Sequence, residues 1–239
     1  WMMRLLLSIP HYRSSGNFTG QTARYLRIKV GTVVHGHEKY RPEFAELLQS
    51  ANFRVIVMLR DPRDQTVSRL YHIRRDVGHP FHAQLTVLNQ EAALMTLIEG
   101  RPGLPGVRSA MAISSSWLDA GADMLCVRYE DLSQDPTREL TKVMQYLAIP
   151  ADNRLTQAII RRNRFERQTI GRRIWQRPRR QGEIDPASHF RKGTMHDWQN
   201  FFTPTHVDCF KAIAGQLLID LGYEADLNWS AVTPPSESR

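Results

Sequence analysis

The chain has 239 residues, 41% of them hydrophobic, enough for one sizeable α/β domain rather than a short disulfide-stapled scaffold. A formal net charge of +8 and a pI near 9.9 call for an anionic partner, whether nucleic acid, an acidic membrane surface or a small phosphorylated ligand; composition does not choose among them. Nothing approaches the roughly 18 apolar residues of a membrane span, there is no zinc spacing, and the isolated Cys126 and Cys209 fit a reducing, cytoplasmic compartment.

The chain begins Trp1-Met2-Met3, so it reads as a processed or cloned piece, or as one without its upstream residues. Trp1 to Ser8 has helical spacing, interrupted by Pro10 and by Ser14-Ser15-Gly16-Asn17, which reads as an irregular surface segment. Gly31 to Val34 is a short β-branched strand ending at His35-Gly36-His37-Glu38, and Arg41 to Ser50 a crossover helix. The apolar run Val55 to Leu59 reads as a strand buried on both faces. A helix-start signal follows at once, with Asp61 as N-cap, Pro62 as first helical residue and Asp64 placed to return a capping contact. A strand entering a helix N-terminus is a ready anion site. Arg60 stands at its mouth, and Ser68, about two turns in, could add a hydroxyl to the same anion. Strand, helix and strand in this order imply parallel pairing with a right-handed crossover, and ligands on such sheets bind beyond the carboxyl ends of the strands. His37 and Arg60 both stand at such ends.

Helices are expected over Gln84 to Ile98 and Val107 to Leu118, a third strand over Met124 to Tyr129, and further helices over Thr137 to Leu147 and Asp152 to Arg162. Gln168 to Gln181 is strongly basic with no apolar period and reads as a mobile flap. A short turn at Asp197 to Phe202, a closing helix from Pro204 to Leu221 and a Pro/Ser-rich disordered tail complete the chain. One domain over 1–229, with a tail at 230–239, is expected.

Four separated stretches, in order, resemble PAPS-dependent sulfotransferases. Arg60-Asp-Pro-Arg-Asp-Gln-Thr-Val-Ser68 is similar to that family's 3′-phosphate motif. Arg191-Lys-Gly-Thr-Met-His-Asp-Trp-Gln-Asn-Phe-Phe-Thr203 is similar to its C-terminal signature. Val127 to Leu132 resembles the strand end whose tyrosine lies by the adenine, and His35-Gly-His-Glu38 occupies the place of the catalytic histidine. The resemblance implies a three-layer α/β fold, P-loop NTPase-like, with a mostly parallel central sheet flanked by helices. It also implies transfer of a sulfuryl group from 3′-phosphoadenosine 5′-phosphosulfate (PAPS) to a hydroxyl or amine, with release of adenosine 3′,5′-bisphosphate (PAP).

By the same resemblance Arg60, Ser68, Arg191, Lys192 and Gly193 cradle the 3′-phosphate, Tyr129 and Phe165 line the adenine, and Trp1 stacks on it. His37 is the general base. His35 competes, because a spacing of two in an extended segment puts both rings on one face, but His37 is preferred. No metal is required. The acceptor, a small molecule or glycan, meets variable loops around His79 to Gln90 and the Arg-rich flap; neither nucleic acid nor an integral membrane segment is expected, and the oligomeric state is unread.

Two departures from the family pattern stand out. The Lys-Ser-Gly-Thr-Thr-Trp type loop that holds the 5′-phosphosulfate, and its strand, are read as missing. Met195-His196-Asp197 has histidine where the family has glycine, which suggests a changed turn. The rival reading is a non-catalytic nucleotide- or polyanion-binding module.

Overall fold

The computed structural model describes residues 13–17, 25, 27–150, 152–163 and 193–231. The chain divides into two compact units, Trp1–Leu59 with Ala112–Ile170, and Arg60–Met111 with Gly171–Arg239.

Among the described residues the first unit carries four short strands in two parallel pairs. Strand β1 (Arg13–Asn17) pairs with β2 (Thr32–His35). Strand β3 (Ile56–Leu59) pairs with β4 (Leu125–Arg128), from Ile56↔Leu125 to Leu59↔Arg128. The parallel sense is as expected, but the pairing differs from the simplest reading. Strand β2 bonds to β1 and β3 to β4, because consecutive strands of a crossover sheet need not be neighbours. Strand β1 also corrects the reading of Ser14 to Asn17 as irregular.

Alternation along the strands sends successive side chains to opposite faces and builds the layers. Val33, Ile56, Met58 and Val127 pack with Leu140, Val143 and Met144 of α7 (Pro136–Tyr146) and with Ile159 of α8 (Asn153–Arg162). Val34 and Val57 turn the other way, toward Phe44 and Leu48 of α1 (Pro42–Ser50) and Trp117 of α5 (Val107–Asp119). Two helical layers therefore enclose the strands, and each fully buried aliphatic side chain contributes about 1.5–3 kcal/mol. Asp152 caps α8 through the Arg154 amide, while α6 (Tyr129–Gln134) begins directly where β4 stops.

The second unit is helical. Helix α2 (Pro62–Arg75) buries Val67, Leu70 and Ile73. Where one helix was expected over Gln84 to Ile98, the chain forms α3 (His82–Thr86) and α4 (Gln90–Glu99). Asn89 causes the break, since its side chain accepts the Ala92 amide at 2.8 Å and starts α4 afresh. Helix α9 (Pro204–Asp220) packs on α4. His206 fixes that contact: its Nδ1 accepts the Thr203 amide at 3.0 Å and its Nε2 donates to the Glu91 carbonyl at 2.9 Å. The expected helix at Trp1 to Ser8, the basic flap and all but the first two residues of the tail lie outside the described residues.

Candidate active site

In the first unit, β2 ends at His35, and His37 follows after one glycine. The two imidazoles are exposed and meet edge to face with centroids 4.7 Å apart, so the extended spacing of two does put both rings on one side. Partial burial lowers the His35 pKa from its ordinary value, and the neighbouring His37 lowers it further. Tyr129 is half-buried as the first residue of α6.

The second unit holds the described part of the expected phosphate cradle. Asp61 caps α2 by accepting the Arg63 amide at 2.8 Å, with Pro62 at the first helical position, as the sequence implies. Arg60 precedes the cap, half-buried. Ser68 stands two turns in, also half-buried. The nearby Thr66 hydroxyl bonds back to the Pro62 carbonyl at 2.8 Å; Ser68 makes no such bond among the described residues. Gly193 is exposed, with φ +71°.

Asp64 does not return the expected capping contact. Its carboxylate accepts the amides of His196 at 2.7 Å and Trp198 at 2.9 Å, fastening the C-terminal signature to the first turn of α2. Burial pushes the Asp64 carboxyl above its usual range, and the amide of Trp198 and the charge of Arg60 offset this only in part. His196 stands where the family pattern has glycine. His196 adopts φ +57° and ψ 18°, the left-handed conformation that glycine takes without cost. A side chain there costs about 1–2 kcal/mol, which the bond to Asp64 helps to sustain.

Sequence reasoning missed Arg63. It is 2% exposed, forks onto Asp61 (Nε at 3.0 Å, Nη2 at 2.8 Å) and pairs with Glu224. Its guanidinium lies 4.2 Å from the Trp198 ring centroid and 4.8 Å from that of Trp229. Asp61 is a local partner, but nothing local marks the burial of Arg63, because Glu224, Trp198 and Trp229 are far along the chain. The expected acceptor stretch His79 to Gln90 is braced by Arg74, whose Nε donates to Leu85 O at 3.0 Å and Nη2 to Leu88 O at 2.8 Å. Burial lowers the His79 pKa there. Trp1, Phe165, Arg191 and Lys192 lie outside the described residues. Among the described residues no His, Cys, Asp and Glu cluster could hold a metal ion.

A family model described as "Sulfotransferase domain" matches residues 33–222, which spans both units. The chain belongs to the sulfotransferase domain family. Rat sulfotransferase 1C2 is 32% identical to this sulfotransferase domain over 102 residues, 39% of this chain and 32% of that protein. Flavonol 3-sulfotransferase of Flaveria bidentis is 25% identical over 185 residues, 73% of this chain and 56% of that protein. The chain thus spans about a third to just over half of the curated relatives it matches. Among solved structures, a mouse sulfotransferase complexed with PAP superposes with TM-score 0.72 at 20% identity, covering 93% of this chain and 81% of that one. Retinol dehydratase, in complex with androsterone and inactive cofactor PAP, gives TM-score 0.57 at 16% identity, covering 86% of this chain and 55% of that one. These two likenesses establish the three-layer α/β sulfotransferase fold. Among the described residues no helix is long and apolar enough to cross a membrane.

Proposed function

We propose that the protein transfers a sulfuryl group from PAPS to a hydroxyl or amine of a small-molecule or glycan acceptor and releases PAP. The observation that carries this reading is the fastening of the Gly193 to Trp198 turn onto the first turn of α2 by Asp64, because it joins the two halves of the expected 3′-phosphate cradle. In that cradle Arg60 supplies a charged fork, Ser68 a hydroxyl and Gly193 a backbone amide that a ligand can approach closely, with Arg191 and Lys192 completing the charge. Tyr129, Phe165 and Trp1 are assigned to the adenine.

Sulfuryl transfer, like phosphoryl transfer, depends on in-line positioning and on meeting charge as it develops. His37 is assigned as the base that takes the acceptor's proton. For the 5′ end of the donor we assign Arg13-Ser14-Ser15-Gly16-Asn17: it offers a guanidinium in place of the lysine of the Lys-Ser-Gly loop, two hydroxyls and a glycine, on a strand parallel to the one that ends at His35. Residues 1–229 act as one domain in this reading, supported by a family match that runs through both units. A cytoplasmic location is supported by two free cysteines, Cys126 and Cys209.

Transfer of labelled sulfuryl from PAPS to a panel of phenols, alcohols and amines tests the assignment, alongside calorimetry with PAP and AMP. Label in the acceptor and a clear preference for PAP support it. Binding that ignores the 3′-phosphate and collapses with salt, with no transfer, makes the protein a polyanion-binding module instead.

A further inference from the structure

Asp64 has no part in the expected ligand set, yet it is the described carboxylate that bonds to the turn carrying Gly193. It is 1% exposed, and both its oxygens are used, Oδ2 by the His196 amide and Oδ1 by the Trp198 amide. The contacts reach past Asp64 as well. Arg60 acts on its charge from one side, and Arg63, one residue before it, lies 4.2 Å from the ring of the same Trp198.

We propose that Asp64 is the positioning residue of the 3′-phosphate cradle, setting where the Gly193 turn stands relative to Arg60 and Ser68 before any nucleotide arrives. The inference rests on the donor-site reading above. Two amide bonds at 2.7 and 2.9 Å, with His196 in a left-handed conformation between Gly193 and Trp198, leave the turn little freedom. An anion site held in place beforehand avoids the ordering cost that a loose one meets on binding.

Stability alone is a poor explanation for this carboxylate. With its folded-state pKa raised, the stability linked to its protonation is fully present below the unfolded value and is lost as pH rises through the folded one. Wherever the group is ionised in the fold it is therefore a cost that the fold carries. Strain and buried charge of this kind gather where geometry matters for function.

Asp64→Asn keeps the shape but can accept only one of the two amides, and Asp64→Glu keeps the charge but displaces the oxygens by a methylene. Both are expected to weaken PAP binding by about tenfold to a hundredfold while AMP binding changes less than about twofold. Equal losses for PAP and AMP, or no loss in a variant that still unfolds cooperatively, overturn the proposal. A second measurement needs no variant. In the unliganded wild type, hydrogen exchange should show the His196 and Trp198 amides already protected; protection that appears only after PAP is added overturns prior positioning. Should the wild type itself fail to prefer PAP over AMP, the donor-site reading falls rather than the role of Asp64 in holding the turn, which the exchange data judge separately.

Discussion

In the first unit His35 and His37 stand exposed after β2 and meet each other edge to face, whereas in the second unit Asp61, Arg63 and Asp64 are 1%, 2% and 1% exposed and each has a fixed partner. The contrast matches the work assigned to each. A base must reach an acceptor and exchange its proton, so it stays open to solvent. An anion cradle works through donors set in advance, so its supports are taken out of water and paired. The lesson is that the residues assigned to ligand in such a site can be half-buried or exposed while the residues proposed to aim them are not.

The sharpest way to break this contrast is to remove its open side. His37→Ala should lower turnover by about 10²–10⁴ with nucleotide affinity nearly intact, and His35→Ala should be milder. Single-turnover rates check the ranking, and a reversal assigns the base to His35. On the closed side, Arg63→Ala should destabilise the fold by about 3–5 kcal/mol, because it leaves Asp61 buried without its cation. The midpoint of urea unfolding measures it, and a loss under about 1 kcal/mol would place Arg63 in a solvated setting.

Arg60→Ala tests a residue assigned to the 3′-phosphate. It should weaken PAP by about 2–4 kcal/mol and barely change AMP; equal losses in calorimetry remove the 3′-phosphate assignment. A smaller gain is expected from His196→Gly, which relieves a left-handed side chain and should raise stability by about 1 kcal/mol in thermal unfolding. The slightest effect is a titration. The His35 ring resonance should report protonation at a lower pH than a free imidazole, and His37→Gln should move it back upward by removing one of the causes of the shift. A midpoint that does not move separates the two rings electrically.

Much of this arrangement was legible in the sequence because its signals are local. Asp61 and Pro62 announce a helix start within two residues, and the apolar runs through Val57 and Val127 announce strands. The four motifs gave the family. What stayed hidden depends on partners far along the chain or on weak propensity. Arg13 to Asn17 carries two serines, a glycine and an asparagine, poor strand formers that become a strand only by pairing with Thr32 to His35. Asp64 reads as a capping residue from its neighbours and becomes a fastening only when His196 and Trp198 arrive. Asn89 was a misjudged break, since the cap it makes competes with an apolar pattern that runs on through Leu85 and Leu94.

The bonds from Asp64 to His196 and Trp198 cross 132 and 134 positions of sequence, and that span has a consequence for biosynthesis. Closing so long a loop costs chain entropy before any contact repays it. At about 5–20 residues per second, a ribosome that has just released α2 needs further seconds to deliver the amides this carboxylate requires. Until then the nascent chain carries Asp64 without the amides it accepts, and the proposed 3′-phosphate cradle is incomplete. In the proposed reading donor recognition arrives late in synthesis, with the C-terminal signature, and a translation product that stops before residue 196 is expected to fold α2 without gaining the nucleotide.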